Sequence, residues 1–138
     1  MNRAAWQKLA FERVKDAKGL LQIKRWSAAY YLAGYAVECG LKSCIIAYLM
    51  RTDDFPDKRF SEQCWTHDLQ KLVALAGLGA ALAADLAADA DFARNWDNVS
   101  KWNESSRYDL TPKTKAERMV AAVADSKHGV LSWIKSRW

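Results

Sequence analysis

The chain contains few residues that interrupt helices: only two Pro and six Gly occur among its 138 residues. Short strands joined by tight turns usually need more of both, so this scarcity favours long helices. Hydrophobic residues make up 51% of the chain and charged residues 27%, a composition that can form a core and is unlike that of a disordered chain. The length fits a single domain spanning residues 1–138.

Residues that bind metals are also scarce, with three Cys and two His. No two cysteines are spaced as CxxC, so the usual zinc ligand sets are excluded. Reduced thiols in a cytoplasmic protein are the simplest interpretation. The first residues, MNRAAWQKLAFERVKD, lack the apolar core of a signal peptide. We therefore expect no metal, no cofactor and a cytoplasmic location.

No run of five like charges occurs, and the net charge of +5 permits contact with nucleic acid without requiring it. The longest apolar stretch, Trp26–Met50, is long enough to span a bilayer. Glu38 and Lys42 lie in its middle, and each charge there costs about 2.5–3.5 kcal/mol on insertion scales. This stretch is therefore expected to be a buried helix of a bundle rather than a membrane span.

Apolar residues recur every three or four positions along most of the chain, which is the period of an amphipathic helix. No alternating strand pattern and no internal repeat is present. The sequence predicts an all-α protein, a mostly antiparallel bundle of four or five helices. The predicted helices cover Ala4–Gln22, Arg25–Met50, a short segment capped by Thr66 and ended by Gly77, Ala80–Trp102, and a last helix from Thr111–Pro112 to the end of the chain.

The second predicted helix has two adjacent apolar stripes, one through Trp26, Tyr30 and Val37 and one through Tyr31 and Ile45. A helix that is apolar over most of its circumference lies inside the structure or also covers a partner. We therefore expect a homodimer, or a heterodimer with a partner protein. Gly34 and Gly40 lie within this helix, where each costs about 1 kcal/mol relative to Ala. Close approach of another helix would explain them.

Four segments carry a resemblance to a known family: WSAAYYLAGYAVECGLKSCI at Trp26–Ile45, THDLQKL at Thr66–Leu72, a Trp-rich helix end at Trp96–Trp102, and SSRYDL at Ser105–Leu110. Together they resemble bacterial HEPN (higher eukaryotes and prokaryotes nucleotide-binding) domains. The resemblance implies a compact helical bundle, frequent dimerisation and roles around RNA or nucleotides. Family roles include ribonuclease toxins and partners of minimal nucleotidyltransferases in toxin–antitoxin systems.

Ribonuclease members resemble one another in an Arg followed four to six residues later by His. In such a pair His acts as acid or base on a ribose hydroxyl and Arg stabilises the charged phosphorane. The present chain departs from that spacing: no His follows Arg107 in the window, and Arg59 precedes His67 by eight positions. The departure favours a non-catalytic module that binds RNA, a nucleotide or a nucleotidyltransferase. A metal-independent ribonuclease built from Arg107, Tyr108 and His67 remains the alternative.

Arg107 and Tyr108 are the leading site candidates because they fall in a polar break between two helices. Arg107 would contact a phosphate, with Tyr108 or Trp102 as a stacking platform. The structural alternative is that Arg107 caps a helix or pairs with a carboxylate.

Glu38 is a further candidate because a carboxylate within AGYAVECGLK is costly to bury alone. Lys42, one turn away, is its local partner and Arg107 its long-range one. We expect Arg107 to approach Glu38, since its planar fork holds a buried carboxylate better than an ammonium does. For His67, a polar role at a helix start is favoured over catalysis.

Overall fold

The computed structural model describes every residue from Met1 to Trp138 and contains no strand. It is 75% helical, which confirms the predicted all-α helical bundle. The helices are more numerous and shorter than the apolar period suggests. They are α1 Arg3–Gln22, α2 Trp26–Thr52, α3 Lys58–Gln63, α4 Leu69–Leu75, α5 Gly79–Ala88, α6 Ala90–Ser100, a 3₁₀ helix Glu104–Tyr108, α7 Lys113–Ala124 and α8 Val130–Lys135.

Helix α2 is the centre of the bundle. Fifteen of its 27 residues are buried, and it contacts α1, α4, α7, α8 and the 3₁₀ helix. It is long and apolar enough to cross a membrane, but 72% of its most apolar window is buried by the rest of the chain. The bent pair α4 and α5, which meet at 117°, passes the same test only if joined. The packing of α2 is that of the core helix of a globular domain.

The predicted helix Ala80–Trp102 is wrong as one element, because it is broken at Asp89 between α5 and α6. Asp89 Oδ1 caps α6 by accepting from the Phe92 N–H at 3.0 Å, and its Oδ2 lies 2.7 Å from His128 Nδ1. The bond from Phe92 and the one from His128 lower the pKa of Asp89, and the same Asp89 bond raises the pKa of His128. Asp89 is bonded both to the first turn of α6 and to His128. These two bonds outweigh the preference of the Ala-rich sequence for a continuous helix.

The last predicted helix is likewise broken, between α7 and α8. Asp125 Oδ1 accepts the N–H groups of Lys127 and His128, and this turn ends α7. A Cβ on Gly129 would overlap the carbonyl oxygen of Asp125, so the turn requires glycine there. Helix α7 itself begins at Lys113, directly after the predicted start at Thr111–Pro112, and no side chain caps it.

The connection predicted between Arg51 and Thr66 contains a helix, α3, that apolar periodicity does not reveal. Asp57 caps it by accepting from the Phe60 N–H at 2.7 Å. The next helix, α4, is capped by Asp68 rather than by Thr66. Thr66 Oγ1 instead accepts from the Asp68 N–H at 3.2 Å and shapes the turn that leads into the cap.

The three thiols are free, as expected. Cys39 and Cys44 are buried in α2, and desolvation raises the pKa of each to about 12. Cys64 is half-buried, and burial raises its pKa as well. None is therefore an activated nucleophile.

The two glycines within α2 allow the close packing expected of them. A Cβ on Gly34 would overlap the indole ring of Trp102, and one on Gly40 would lie 2.9 Å from Ile134 Cγ2. Trp102 is 2% exposed, so its ring is packed into the space that Gly34 leaves.

Gly34→Ala should lower the free energy of unfolding by about 1–3 kcal/mol, because the added methyl displaces a buried indole. Gly19→Ala in α1 is the matched control. No atom lies within 4 Å of its Cβ position, so it should instead stabilise by about 0.5–1 kcal/mol. Urea unfolding of both variants gives the comparison. Equal effects of the same sign would contradict the packing of Trp102 on Gly34.

Candidate functional site

The buried carboxylate of Glu38 is the centre of a polar network. Glu38 lies in the middle of α2 and is 1% exposed. Lys42, one turn further on, donates from Nζ to Glu38 Oε1 at 2.8 Å and is itself 7% exposed. The local partner expected from the i, i+4 spacing is therefore present. An ion pair removed from water in this way needs further hydrogen bonds to offset its desolvation.

His67 supplies the next bond. Its Nδ1 lies 2.9 Å from Glu38 Oε2, and its Nε2 lies 2.9 Å from Glu104 Oε2. The position of His67 follows from the chain around it, since it stands between the Thr66 turn and the Asp68 cap of α4. One imidazole thus joins α2, α4 and the 3₁₀ helix.

The two carboxylates around His67 determine what the ring can do. A neutral imidazole has one N–H and can donate to only one of them, whereas the imidazolium form donates to both. The contact between Nδ1 and the buried Glu38 carboxylate orients the imidazole ring, while the His67 side chain remains 44% exposed. Such an arrangement can hold a proton, orient the ring, or present Nε2 to a ligand that displaces Glu104.

Two indole rings enclose the Lys42 ammonium, whose Nζ lies 5.2 Å from the ring of Trp6 and 5.7 Å from that of Trp65. The attraction of a cation to an aromatic face adds to the ion pair where water is excluded. Trp65 is 72% exposed, so its ring contacts Lys42 while most of its surface faces solvent. The same rings border an apolar groove of about 310 Å³, whose other walls include Ile45, Ile46, Leu49, Pro56, Phe60 and Cys64.

A polar cleft of about 400 Å³, the His67 cleft, opens beside the network. Trp102 forms part of its wall, and its indole nitrogen is buried without a hydrogen-bond partner in the chain. Hydroxyl, amide and carboxylate groups supply most of the remaining surface, which suits a polar ligand. The lining residues are Thr66, His67, Asp68, Gln70, Ser100, Lys101, Trp102, Asn103 and Glu104.

The expected approach of Arg107 to Glu38 is wrong. The 3₁₀ helix reaches the network through Glu104, and the Arg107 side chain stays at the surface with its guanidinium 5.0 Å from the centre of the Tyr108 ring. The interaction with Tyr108 raises the pKa of Arg107 further, so this group stays charged. Lys42 and His67 each bond to one oxygen of Glu38, so the buried carboxylate has its partners without Arg107.

The proposed stacking platforms differ in accessibility. Tyr108 is 78% exposed and offers its ring to solvent. Trp102 is 2% exposed, so its role as a platform is corrected: its ring packs against Gly34 and tilts against Tyr31 at 5.7 Å. No pattern in the sequence distinguishes these two aromatics, because burial of Trp102 depends on a glycine about 70 positions earlier.

His67 and Glu104 are the members of the network that sequence reasoning missed in this role. The sequence predicts His67 as a helix-start residue, with catalysis as the alternative, and not as a partner of Glu38; it predicts no role for Glu104. The available signal was the need of Glu38 for a partner beyond Lys42, together with a His beside a helix cap. Glu38 and His67 are 29 positions apart, and His67 and Glu104 are 37 positions apart. No local spacing in the sequence can reveal such pairs.

One other cluster has the residue types that bind metal ions. Ligand atoms of Asp89, Asp91 and His128 lie within 4.8 Å of one another at the start of α6. Two of them are bonded to each other, since His128 Nδ1 contacts Asp89 Oδ2. The cluster is accounted for by its capping role.

No family model, curated protein or solved structure matches this chain. The functional argument therefore rests on the network, the His67 cleft and the surface around them.

Removing one member of the buried pair should cost about 3–5 kcal/mol of unfolding free energy, because the other charge is left buried without its partner. Glu38→Leu and Lys42→Met are the single variants. The double variant should lose less than the sum of the two, with a coupling of about 1–3 kcal/mol measured by urea unfolding.

The exposed pair Lys58 and Glu62 is the control, with the same i, i+4 spacing and a distance of 3.8 Å. Lys58→Met and Glu62→Leu should couple by at most about 0.5 kcal/mol. Additive losses at positions 38 and 42 would show that the buried pair is not a unit.

Proposed function

We propose that this chain is a HEPN-type module that binds RNA or a nucleotide without cutting it, in a toxin–antitoxin or defence setting. One observation carries the binding part of the proposal. The 3₁₀ helix that brings Glu104 to His67 also presents Arg107 and Tyr108 side by side at the surface. A single short element thus connects an ordered polar network to an exposed cation and an exposed aromatic ring.

The chemistry of this pair suits a nucleotide unit. The planar guanidinium of Arg107 offers a two-pronged donor to a phosphate, and the exposed ring of Tyr108 offers a face to a base. The His67 cleft is lined by Asn103 and Glu104 at the start of the same short helix and adds hydroxyl and amide groups.

The family resemblance adds partners to the proposal. It implies a homodimer, or association with a nucleotidyltransferase, in the cytoplasm. The apolar groove beside Trp6 and the exposed rings of Trp65 and Phe55 support a protein partner, since Phe55 is 96% exposed. A nucleotidyltransferase gene adjacent to the gene for this chain would support the heterodimer over the homodimer.

A metal-independent ribonuclease is the second candidate, and the Glu38–His67 bond favours it. A carboxylate that orients an imidazole is a recurring device of general acid–base catalysis. In that reaction His67 would accept the proton of a ribose 2′-hydroxyl, whose oxygen then bonds to phosphorus. The 5′-oxygen would leave with a proton from an acid group, producing a 2′,3′-cyclic phosphate. Arg107 would stabilise the extra negative charge on phosphorus.

Fluorescence anisotropy with a labelled single-stranded RNA, in buffer with a chelator, tests both candidates together. Loss of the Tyr108 ring in Tyr108→Ala should weaken binding by about 5- to 150-fold, the range that corresponds to about 1–3 kcal/mol per stacked base. Tyr108→Phe keeps the ring and should bind nearly as well as wild type. Arg107→Ala should also weaken binding, whereas Arg59→Ala, which removes an exposed Arg on α3, should not.

Gel analysis of the same RNA after incubation separates the two candidates. The binding proposal predicts intact RNA. Cleavage by the wild type that disappears in both His67→Ala and Arg107→Ala would replace it with the ribonuclease. Equal binding by Arg107→Ala, Tyr108→Ala and wild type would remove the Arg107–Tyr108 surface from either account.

A further inference from the structure

A second cleft, the basic cleft, lies between α2, α6 and α7 and has a volume of about 290 Å³. It is separate from the Arg107–Tyr108 surface. Three of its lining side chains are cationic, no lining residue is acidic, and the others that matter here are polar. These residues are Tyr30, Asn98, Lys101, Thr114, Lys115 and Arg118.

The positive charge of this cleft is largely uncompensated by the chain itself. Lys115 and Arg118 form no salt bridge, and Lys101 pairs only with the exposed Asp97 at 3.1 Å. By contrast, Lys113 at the start of the same helix is close to Glu117 at 3.7 Å. Two cations that form no salt bridge therefore lie one turn apart on α7 and line a cavity that has no acidic lining residue.

Tyr30 is the second, independent feature of the basic cleft. It is 4% exposed, yet it lines the cleft and its hydroxyl makes no hydrogen bond within the chain. The ammonium of Lys115 lies 4.9 Å from the centre of its ring, which holds that cation beside the cavity. Burial, and then the charge of Asp109, raises the pKa of Tyr30, so its hydroxyl stays protonated and is a donor. The Tyr30 side chain is nearly buried, but its hydroxyl keeps contact with solvent, so this donor without a partner in the chain is open to an acceptor from a ligand.

The backbone supports the same kind of ligand. Helix α7 begins after Pro112 without a side-chain cap, and Thr114 adds a hydroxyl in its first turn. The N–H groups of a first helical turn have no partner inside the helix and favour an anion. Cations, hydroxyls and these amides together match the oxygen atoms of a phosphate.

We propose that the basic cleft binds a backbone phosphate of the RNA that the Arg107–Tyr108 surface engages. Lys101 borders both the basic cleft and the His67 cleft, so one strand can pass from one to the other. The inference rests on the proposed function for the identity of the ligand, but the phosphate site itself is a separate claim. A free mononucleotide has the same phosphate chemistry and is distinguished by experiment.

The first measurement is a titration with inorganic phosphate at low ionic strength, in which backbone-amide NMR detects binding. Phosphate should shift the amides of residues 113–118 and 98–101 and leave those of α1 in place. In Lys115→Gln/Arg118→Gln the apparent affinity should fall at least about tenfold. Lys8→Gln/Lys18→Gln removes the same charge from exposed positions on α1 and should leave the affinity within about twofold. Shifts spread over the whole surface, or equal losses in the two variants, would overturn the site.

The second measurement compares the same variants in RNA binding over a range of salt concentrations. Each phosphate contact of a single strand contributes about 0.7 to the slope of log affinity against log salt. Lys115→Gln/Arg118→Gln should reduce that slope by about 0.7–1.4, and the α1 control should not. Uridine monophosphate carries the same phosphate group and should lose affinity in the double variant as inorganic phosphate does. If only the mononucleotide loses affinity, and the salt slope of RNA binding stays unchanged, the site serves a free nucleotide and the RNA path is wrong.

The two claims fail differently. Phosphate shifts that depend on Lys115 and Arg118, without any RNA binding, would retain the anion site and refute the proposed function. RNA binding that needs Arg107 but has an unchanged salt slope in the double variant would retain the function and refute the basic cleft. Lys115 and Arg118 are exposed, and each single substitution repeats the test if the double variant has a lower melting temperature.

Discussion

The need of one buried carboxylate for partners organises this bundle. Glu38 lies at the middle of the central helix α2, where an uncompensated charge would cost about 3–5 kcal/mol, a large part of the net stability of a domain. Lys42 and His67 occupy its two oxygens, and each partner extends the network in a different direction. Through Lys42 it reaches the indoles of α1 and the segment after α3. Through His67 it reaches the start of α4 and the 3₁₀ helix.

The surface features follow from that arrangement. Glu104 places the 3₁₀ helix against α4, and the rest of this short element then projects Arg107 and Tyr108 outward. Trp102, packed on Gly34, holds the end of α6 close to α2 directly before the 3₁₀ helix. The His67 cleft and the basic cleft share Lys101 at the end of α6 as a lining residue. Buried polar bonding and close packing thus position the exposed groups on which the proposed RNA path depends.

Much of the fold could be predicted from the sequence because α2 is specified locally. Its apolar circumference, its two glycines and the Glu38–Lys42 spacing each depend on neighbours within a few turns. The breaks at Asp89 and Gly129 could not be predicted in the same way. Each depends on a bond or contact in a turn that competes with a continuous helical period, and the Asp89 break also involves His128 far along the chain.

The candidate site shows the same limit. The sequence identified Glu38 as a residue that needs partners and Lys42 as the nearer one. It predicted Arg107 as the distant partner, where the structure has His67, because that partner depends on which face of the Glu104–Tyr108 turn meets α2. An exposed Arg–Tyr stack and a buried Arg–carboxylate pair require the same residue types, and only the three-dimensional arrangement distinguishes them.

Hydrogen–deuterium exchange on Glu38→Gln tests most directly whether this carboxylate ties α2, α4 and the 3₁₀ helix together. Val123→Ala in α7 is the control, because it lowers global stability by removing buried methyl groups without touching the network. Relative to that control, the account predicts faster exchange in residues 67–75 and 103–108 and unchanged exchange in α7 and α8. Exchange that rises equally across both variants, or only within α2, would contradict it.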